Sequence, residues 1–210
     1  MKDLIIVGAS GFGREILMVI KEINRVKEEW NVLGFIDDNL NALDGIDCDC
    51  KILGTISSWK STGNELYVMG IAKSTTKKEV ALKLKDKGAK FATVIHPTAR
   101  VANPVTIGEG LVLFSYADIS VNCVIGNYVF LNSFAQVGHD SIIGDFSTLC
   151  PNCAIAGGGI LGEGVTVGTA ASTHPNIKIG NYATVGMNSA VIRNVKEHTT
   201  VMGVPAKKIM

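Results

Sequence analysis

Net charge is nearly absent from this chain: 20 lysines and arginines stand against 19 aspartates and glutamates, leaving +1 over 210 residues. A polyanionic partner needs a basic surplus, so neither nucleic acid nor an acidic membrane surface is expected as one. Long apolar runs are missing as well. No stretch approaches the ~20 residues that a membrane helix requires. The opening Met1-Lys2-Asp3 leads into only four apolar residues before a glycine loop, unlike a signal peptide, so a cytoplasmic setting is expected. Aromatic residues make up only 6%, which leaves the core to valine, isoleucine and leucine. The cysteines (Cys48, Cys50, Cys123, Cys150, Cys153) are odd in number and have no secretory context, so they read as reduced thiols. Cys150 and Cys153 form a CxxC pair, but a zinc site takes about four ligands. No second pair has suitable spacing, and no metal is expected.

What the sequence does have is a ladder. From Ile95 to Val191 every sixth residue is aliphatic, in sixteen of seventeen positions, and Thr173 is the exception. Eight of these residues are followed at once by glycine, from Gly108 to Gly186. A hexapeptide period of this length predicts a β-helix whose flat faces stack into a prism. Three faces make a coil, so the ladder accounts for between five and six coils. The aliphatic residue points inward, and so does the residue four places on, which is mostly small or medium (Ala117, Cys123, Ala135, Ser141, Cys153, Gly159) because the prism is narrow.

Residues 1–92 follow different rules. Leu4 to Val7 reads as a buried parallel strand. It enters Gly8-Ala9-Ser10-Gly11-Phe12-Gly13, and Arg14 to Val26 then shows helical spacing with Ile16, Ile20 and Ile23 on one face. Val32 to Ile36 is a second strand, ending in Asp37-Asp38. Leu66 to Met69 is a further strand ending at Gly70, and Lys77 to Lys87 is a helix closed by Gly88. The expected organisation is therefore an N-terminal Rossmann-like parallel βαβ domain over 1–92, followed by a parallel β-helix domain with a C-terminal tail over 93–210.

Two places are candidates for chemistry. The Gly8-x-x-Gly11-x-Gly13 turn, with Asp37 at the end of the second strand, suits a nucleotide: helix N–H groups face an anion, and the acid holds ribose hydroxyls. The spacing differs from the dinucleotide G-x-G-x-x-G, and a tight βα turn without ligand is the other reading. His139 stands at an outward or corner position of Val137-Gly138-His139-Asp140-Ser141-Ile142. With Asp140 beside it, His139 reads either as a general base or as an idle residue on a solvated face. Lys207 and Lys208 are candidate partners for an anionic ligand.

The glycine turn, the Asp-Asp strand end, the hexapeptide ladder, Gly-His-Asp-x-x-Ile-Gly-Asp-Phe and the tail Gly203-Val204-Pro205-Ala206-Lys207 occur together. This combination resembles the bacterial sugar O-/N-acyltransferases, over nearly the whole chain. The resemblance implies a homotrimer of left-handed β-helices, with acetyl-CoA between neighbouring prisms and a nucleotide sugar against the N-terminal half. It implies His139 as catalytic base and Asp140 as the acid that tunes it. Asn132 would lie near the acceptor amine, with Ser10, Gly11, Phe12, Asp37, Asp38 and Gly70 against the nucleotide sugar. Thr148, Gly157, Thr169 and Met187, with Lys207 and Lys208, would lie along the coenzyme. Two residues depart from the pattern. Phe12 stands where the aminosugar N-acetyltransferases often carry a histidine, and Thr148 stands where some members carry another.

The expected activity is transfer of an acetyl group from acetyl-CoA to the amine of a nucleotide-linked amino-dideoxy sugar, with no metal. O-acetylation of a sialic-acid-type sugar is the alternative within acyl transfer. A nucleotide-dependent oxidoreductase follows from the glycine turn and Asp37 alone, but the second half has no evident hydride-transfer site. A scaffold without catalysis is the remaining reading, and His139 speaks against it.

Overall fold

The structure is a computed structural model that describes residues 1–209. The chain forms two compact units, Met1–Pro97 and Thr98–Met210. In the first, β1 (Lys2–Val7), α1 (Gly11–Val26), β2 (Trp30–Ile36), β3 (Ile52–Gly54), β4 (Leu66–Met69), α2 (Ser74–Lys85) and β5 (Lys90–Phe91) follow in order. The strands make one parallel sheet in the order β3-β2-β1-β4-β5. Strand order reverses direction between β1 and β4, and in such sheets ligands bind outside the carboxyl ends at that point. β1 is apolar without alternation because both its faces are covered; Leu4, Ile5, Ile6 and Val7 are all buried. α1 begins three residues earlier than its apolar spacing indicates, at Gly11, and buries Ile16, Leu17, Val19, Ile20 and Ile23.

Glycine in the β1–α1 turn has a packing cause at two positions. A Cβ on Gly13 would sit 1.9 Å from the Gly8 carbonyl oxygen, and one on Gly70 would sit 2.9 Å from Gly13 Cα. The turn after β4 therefore nests directly against the turn after β1.

The second unit is the prism. Its first face stacks strands at Arg100–Val101, Asp118–Ile119, Gln136–Val137, Ala154–Ile155, Ser172–Thr173 and Ala190–Val191. The second face runs from Val105–Ile107 to Lys178–Ile179, and the third from Val112–Leu113 to Thr200–Met202, where Lys207–Lys208 folds back antiparallel. All other pairings are parallel, and the register confirms the period: Asp118 lies on Gln136, Gln136 on Ala154 and Ala154 on Ser172. The ladder is buried from Leu113 to Val191 except at Thr173, as is the second inward position from Ala117 to Val195. Each buried aliphatic side chain contributes roughly 1.5–3 kcal/mol, so the stacked column is the main source of stability. The first rungs differ from the expected inward placement. Ile95 and Ile107 are exposed and Val101 is half-buried; in the prism, Val101 and Ile107 belong to the first coil, which has no preceding coil stacked on it.

The corners repeat as strictly as the ladder. Asn122, Asp140, Asn152 and Asn176 adopt φ of 59°, and Tyr116, Tyr128, Phe134 and Phe146 fall between 54° and 60°. Asparagine and aspartate tolerate this left-handed conformation through local hydrogen bonds. The aromatics offset its strain by stacking across coils, Tyr116 on Phe134 at 5.0 Å and Tyr128 on Phe146 at 5.1 Å.

Thr173 breaks the ladder for a visible reason. Along this face the N–H groups of Ser120, Gly138 and His174 donate to the main-chain carbonyls of Val137, Ile155 and Val191. The Ala156 N–H instead donates to Thr173 Oγ1, at 3.0 Å. A hydroxyl replaces a carbonyl at one point of the ladder, and an aliphatic residue there could not.

Candidate active site

His139 sits on the edge between the first and second faces. Its side chain is 65% exposed, so it is no core residue. Nδ1 lies 2.6 Å from Asp140 Oδ2, and the Asn122 side-chain amide donates to Asp140 Oδ1 at 3.1 Å. The bond with His139, then that from Asn122, holds the Asp140 carboxyl below its usual range. An ionised Asp140 can only accept, so Nδ1 carries a hydrogen, and in the neutral imidazole it is Nε2 that holds the lone pair. That is the tautomer a general base requires.

The ring lies across Gly157, one coil on. A Cβ there would come within 2.5 Å of Nε2 and 2.7 Å of Cε1. Gly157 is therefore the residue that lets the Nε2 end of the imidazole come close to the next coil. Its own N–H makes no hydrogen bond among the described residues. On the edge between the second and third faces, the matching N–H groups of Glu109, Asn127 and Glu163 are taken up by Asn127, Asp145 and Asn181 side chains of the following coil. The corresponding residue beyond Gly157 is Pro175, which has no side-chain acceptor to offer. An open N–H thus stands beside a free imidazole nitrogen, the pairing that acyl transfer needs.

A groove of about 330 Å³ runs along the first face beside His139. Arg100, Asp118 and Gln136 line one end, Ala154 and Ala156 its floor, and Ser172 and Thr173 the other end. A second cavity of about 430 Å³ lies at the C-terminal end of the prism, where Arg193, Lys196, Lys207 and Lys208 are among its lining residues. Arg193 follows Val191, the first-face residue three coils beyond Val137. Arg193 and Lys196 do not belong to any motif, and at this corner the step between coils shortens to sixteen residues, Ile179 bridging to Val195 and the Lys178 N–H donating to Asn194 Oδ1.

The other coenzyme candidates are elsewhere. Asn132, Thr169 and Met187 occupy the opposite edge of the first face, and Thr148 is buried on the third face. A face of six residues is roughly 20 Å wide, so one prism does not bring these residues to His139. Asn132 Oδ1 accepts the Ser133 N–H at 2.7 Å, whereas Met187 is 64% exposed.

In the first unit, Ser10 is the N-cap of α1 without a side-chain cap bond, and Ser10 and Gly11 are exposed with Phe12 half-buried. A Cβ on Gly11 would meet nothing closer than 3.9 Å, so packing does not require glycine at that position. Asp37 is tied to the fold: Oδ2 accepts the Ala9 N–H at 2.7 Å and Oδ1 that of Asn39 at 2.8 Å. Asp38 accepts the Ser57 N–H at 3.0 Å. Carboxylate oxygens have further lone pairs, so both acids can still receive a hydroxyl. Among the described residues no group of three or more His, Cys, Asp or Glu is placed to hold a metal ion, and burial pushes the Cys153 thiol up to about 12. No helix among them is long and apolar enough to cross a membrane.

Known proteins share both parts. Residues 3–84 match the PglD N-terminal domain, and residues 122–157 match the bacterial transferase hexapeptide, six repeats. A 44-residue stretch is 46% identical to serine acetyltransferase from Haemophilus influenzae, but spans only 16% of that enzyme's length. Among solved structures, WeeI from Acinetobacter baumannii is 26% identical with a TM-score of 0.86, covering 100% of both chains. PerB from Caulobacter crescentus, in complex with CoA and GDP-perosamine, is 25% identical with a TM-score of 0.86, covering 100% of this chain and 98% of that one. The acetyltransferase domain of PglB from Neisseria gonorrhoeae has the same fold at 23% identity, with a TM-score of 0.88 over 100% of both chains.

Proposed function

We propose that this chain, whose residues 3–84 match the PglD N-terminal domain and 122–157 the bacterial transferase hexapeptide, is a sugar acyltransferase that acetylates the amino group of a nucleotide-linked amino sugar with acetyl-CoA as donor. The observation that carries the reading is His139: Nδ1 is held by Asp140 at 2.6 Å while Nε2 is free above Gly157. The complex of PerB with CoA and GDP-perosamine supports the same substrate pair.

In this reading the free amine attacks the thioester carbonyl carbon, and His139 Nε2 takes the proton that the nitrogen loses. The developing oxyanion accepts the Gly157 N–H; loss of such a donor costs ~10²-fold or more. As the tetrahedral carbon collapses, the C–S bond breaks and the imidazolium returns its proton to the departing sulfur. Asp140 favours the imidazolium while it exists. No covalent enzyme intermediate is needed, and holding both substrates together supplies much of the rate.

The coenzyme's path follows from the columns. Gly157 and Arg193 lie one and three coils beyond His139, the latter about 14 Å away at ~4.8 Å per coil. That distance suits the extended arm between a thioester and its phosphates, which would then meet Arg193, Lys196, Lys207 and Lys208. In the first unit, Ser10, Gly11 and Phe12 at the glycine turn and Asp37 and Asp38 at the strand end are the contacts proposed for the nucleotide, the two acids for its ribose or base, with Gly70 as a further contact. Residues 1–92 would thus recognise the nucleotide and 93–210 perform the transfer.

Asn132, Thr169 and Met187, with Thr148, reach the site only if a second copy supplies them. A heterologous contact closing as a ring sets one edge of each prism against the other edge of its neighbour. The exposed stripe of Val124, Ile142 and Ile160 on the second face, 37–44% exposed, gives such a contact its apolar surface. We take the assembly to be a homotrimer, working in the cytoplasm.

The test is His139→Ala, assayed by release of free thiol from acetyl-CoA with an amino sugar nucleotide. kcat should fall by ~10²–10⁴ while acetyl-CoA still binds. Near-normal turnover would remove His139 from the reaction. Thiol release with a hydroxyl sugar, and none with the amine, would select the O-acetyltransferase reading that Phe12 keeps open.

A further inference from the structure

Arg100, Asp118 and Gln136 were not singled out by any motif, yet they line the same groove as His139. They stack one above another as the outward residues of successive coils on the first face. The column then changes character to Ala154, Ser172 and Ala190. Small residues lie on the side of His139 where Gly157 and Arg193 are, and long polar residues on the other. Arg100 makes a fork with Asp118, Nε to Oδ1 at 2.8 Å and Nη2 to Oδ2 at 2.7 Å. Its side chain is nevertheless 68% exposed. The fork uses two of five N–H donors, leaving Nη1 and one Nη2 hydrogen, in a plane that Asp118 has already fixed.

We propose that Arg100, oriented by Asp118, anchors an anionic oxygen of the acceptor in the groove. This rests on the acetyl-transfer reading, because the donor's place decides the direction. With the thioester over Gly157 and the coenzyme phosphates near Arg193, the coils before His139 are the part of the groove left for the acceptor. Arg100 lies two coils, about 10 Å, before Gln136 at ~4.8 Å per coil. That leaves room for one sugar ring between an amine at Nε2 and a charged oxygen at the guanidinium. A phosphate oxygen of the nucleotide and a carboxylate on the sugar share this chemistry. Gln136, exposed between the two ends, is placed to meet the ring's hydroxyls.

The experiment compares wild type, Arg100→Ala, Arg100→Lys and Asp118→Asn in the full chain. Arg100→Ala should raise KM for the amino sugar nucleotide ~10-fold or more, the worth of charge-assisted hydrogen bonds. KM for acetyl-CoA should stay within about twofold, and lysine, which lacks the fork, should rescue only in part. Asp118→Asn, which keeps the shape, should give a smaller rise in the same constant. If neither KM moves, the pair is a cross-strand surface contact and the proposal fails. If KM for acetyl-CoA rises instead, the pair serves the donor and the proposal fails equally. To separate the sources, the same variants are run on the free amino sugar. A penalty that vanishes there assigns Arg100 to the phosphate, and one that appears only with a carboxylate-bearing amino sugar assigns it to that group. Should wild type release no thiol with any amine, the acetyl-transfer reading has failed. Calorimetric binding of the nucleotide sugar to wild type and Arg100→Ala then still decides the anchor.

Discussion

Gly157→Ala separates the geometry of the site from its chemistry. The backbone of Gly157 does not use a positive φ, so alanine is not strained there. Its methyl group would stand 2.5 Å from His139 Nε2, where ordinary contact begins at 3.4 Å, so the ring must retreat by about 0.9 Å or rotate. Retreat lengthens the 2.6 Å bond to Asp140, and rotation turns Nε2 away from the Gly157 N–H. A 1 Å misplacement at a reacting group costs up to ~10²-fold, so kcat should fall ~10- to 100-fold. The ring is exposed, and the main chain keeps its hydrogen bonds, so the thermal midpoint should move by no more than a few degrees. The assay is thiol release at saturating acetyl-CoA and acceptor, beside thermal unfolding by circular dichroism. The double variant with His139→Ala carries the logic further. If Gly157→Ala acts only through the imidazole, it adds little once the imidazole is gone. Turnover of Gly157→Ala within twofold of wild type would refute the argument from this contact. So would a double variant tenfold worse than His139→Ala alone.

Replacing both Lys207 and Lys208 by alanine should raise KM for acetyl-CoA ~10-fold and flatten its dependence on salt. A short thioester donor without phosphates should show no change, and an unchanged KM for acetyl-CoA at low salt would take the basic cavity out of coenzyme binding. In the first unit, burial pushes the Glu65 carboxyl up, but bonds from the Thr62 and Tyr67 hydroxyls and from backbone N–H groups outweigh it and hold Glu65 at about 2. The native value lies below the unfolded one, so the stabilisation, at most about 3 kcal/mol, is full above ~pH 5 and fades between ~5 and 2. Urea unfolding of wild type and Glu65→Gln should differ at pH 7 and converge toward pH 2; a difference constant with pH would contradict the assignment.

The prism was legible in the sequence because its constraint is local and repeated. One inward residue in every six, next to a glycine or a corner residue, is imposed by a narrow core coil after coil. The βαβ sheet was legible from the apolar β1 and the glycine turn. What escaped has particular causes. β3 is only three residues long, half-buried throughout, and carries no pattern. Lys77 opens the helix expected from the sequence, but it is wholly buried and its ammonium is pushed well below the usual value by burial; hydropathy cannot anticipate a charged residue drawn into a core. Asp37 could be foreseen as an acid at a strand end, but its two bonds to backbone N–H groups belong to a turn whose geometry sequence spacing does not specify. Arg100 and Asp118 carry no motif, and only the stacking of residues eighteen apart makes them a pair.

That eighteen-residue step is what connects the ladder to the chemistry. Along the chain, His139 and Gly157 are as far apart as His139 and Val121, and nothing in composition favours one neighbour over the other. In the prism each is one coil away, but only Gly157 lacks the side chain that would exclude the imidazole, and only Gly157 is followed in its column by a proline that leaves its N–H open. The same step taken backward from Gln136 reaches Asp118 and Arg100. A repeat that evens out most positions thus makes the uneven ones meaningful: a histidine at a corner, a glycine beneath it, a proline beyond, and a guanidinium fork on the far side. Each departs from what the prism needs at that column, and together they lie along one edge and one face, where an acyl donor and its acceptor can meet end to end.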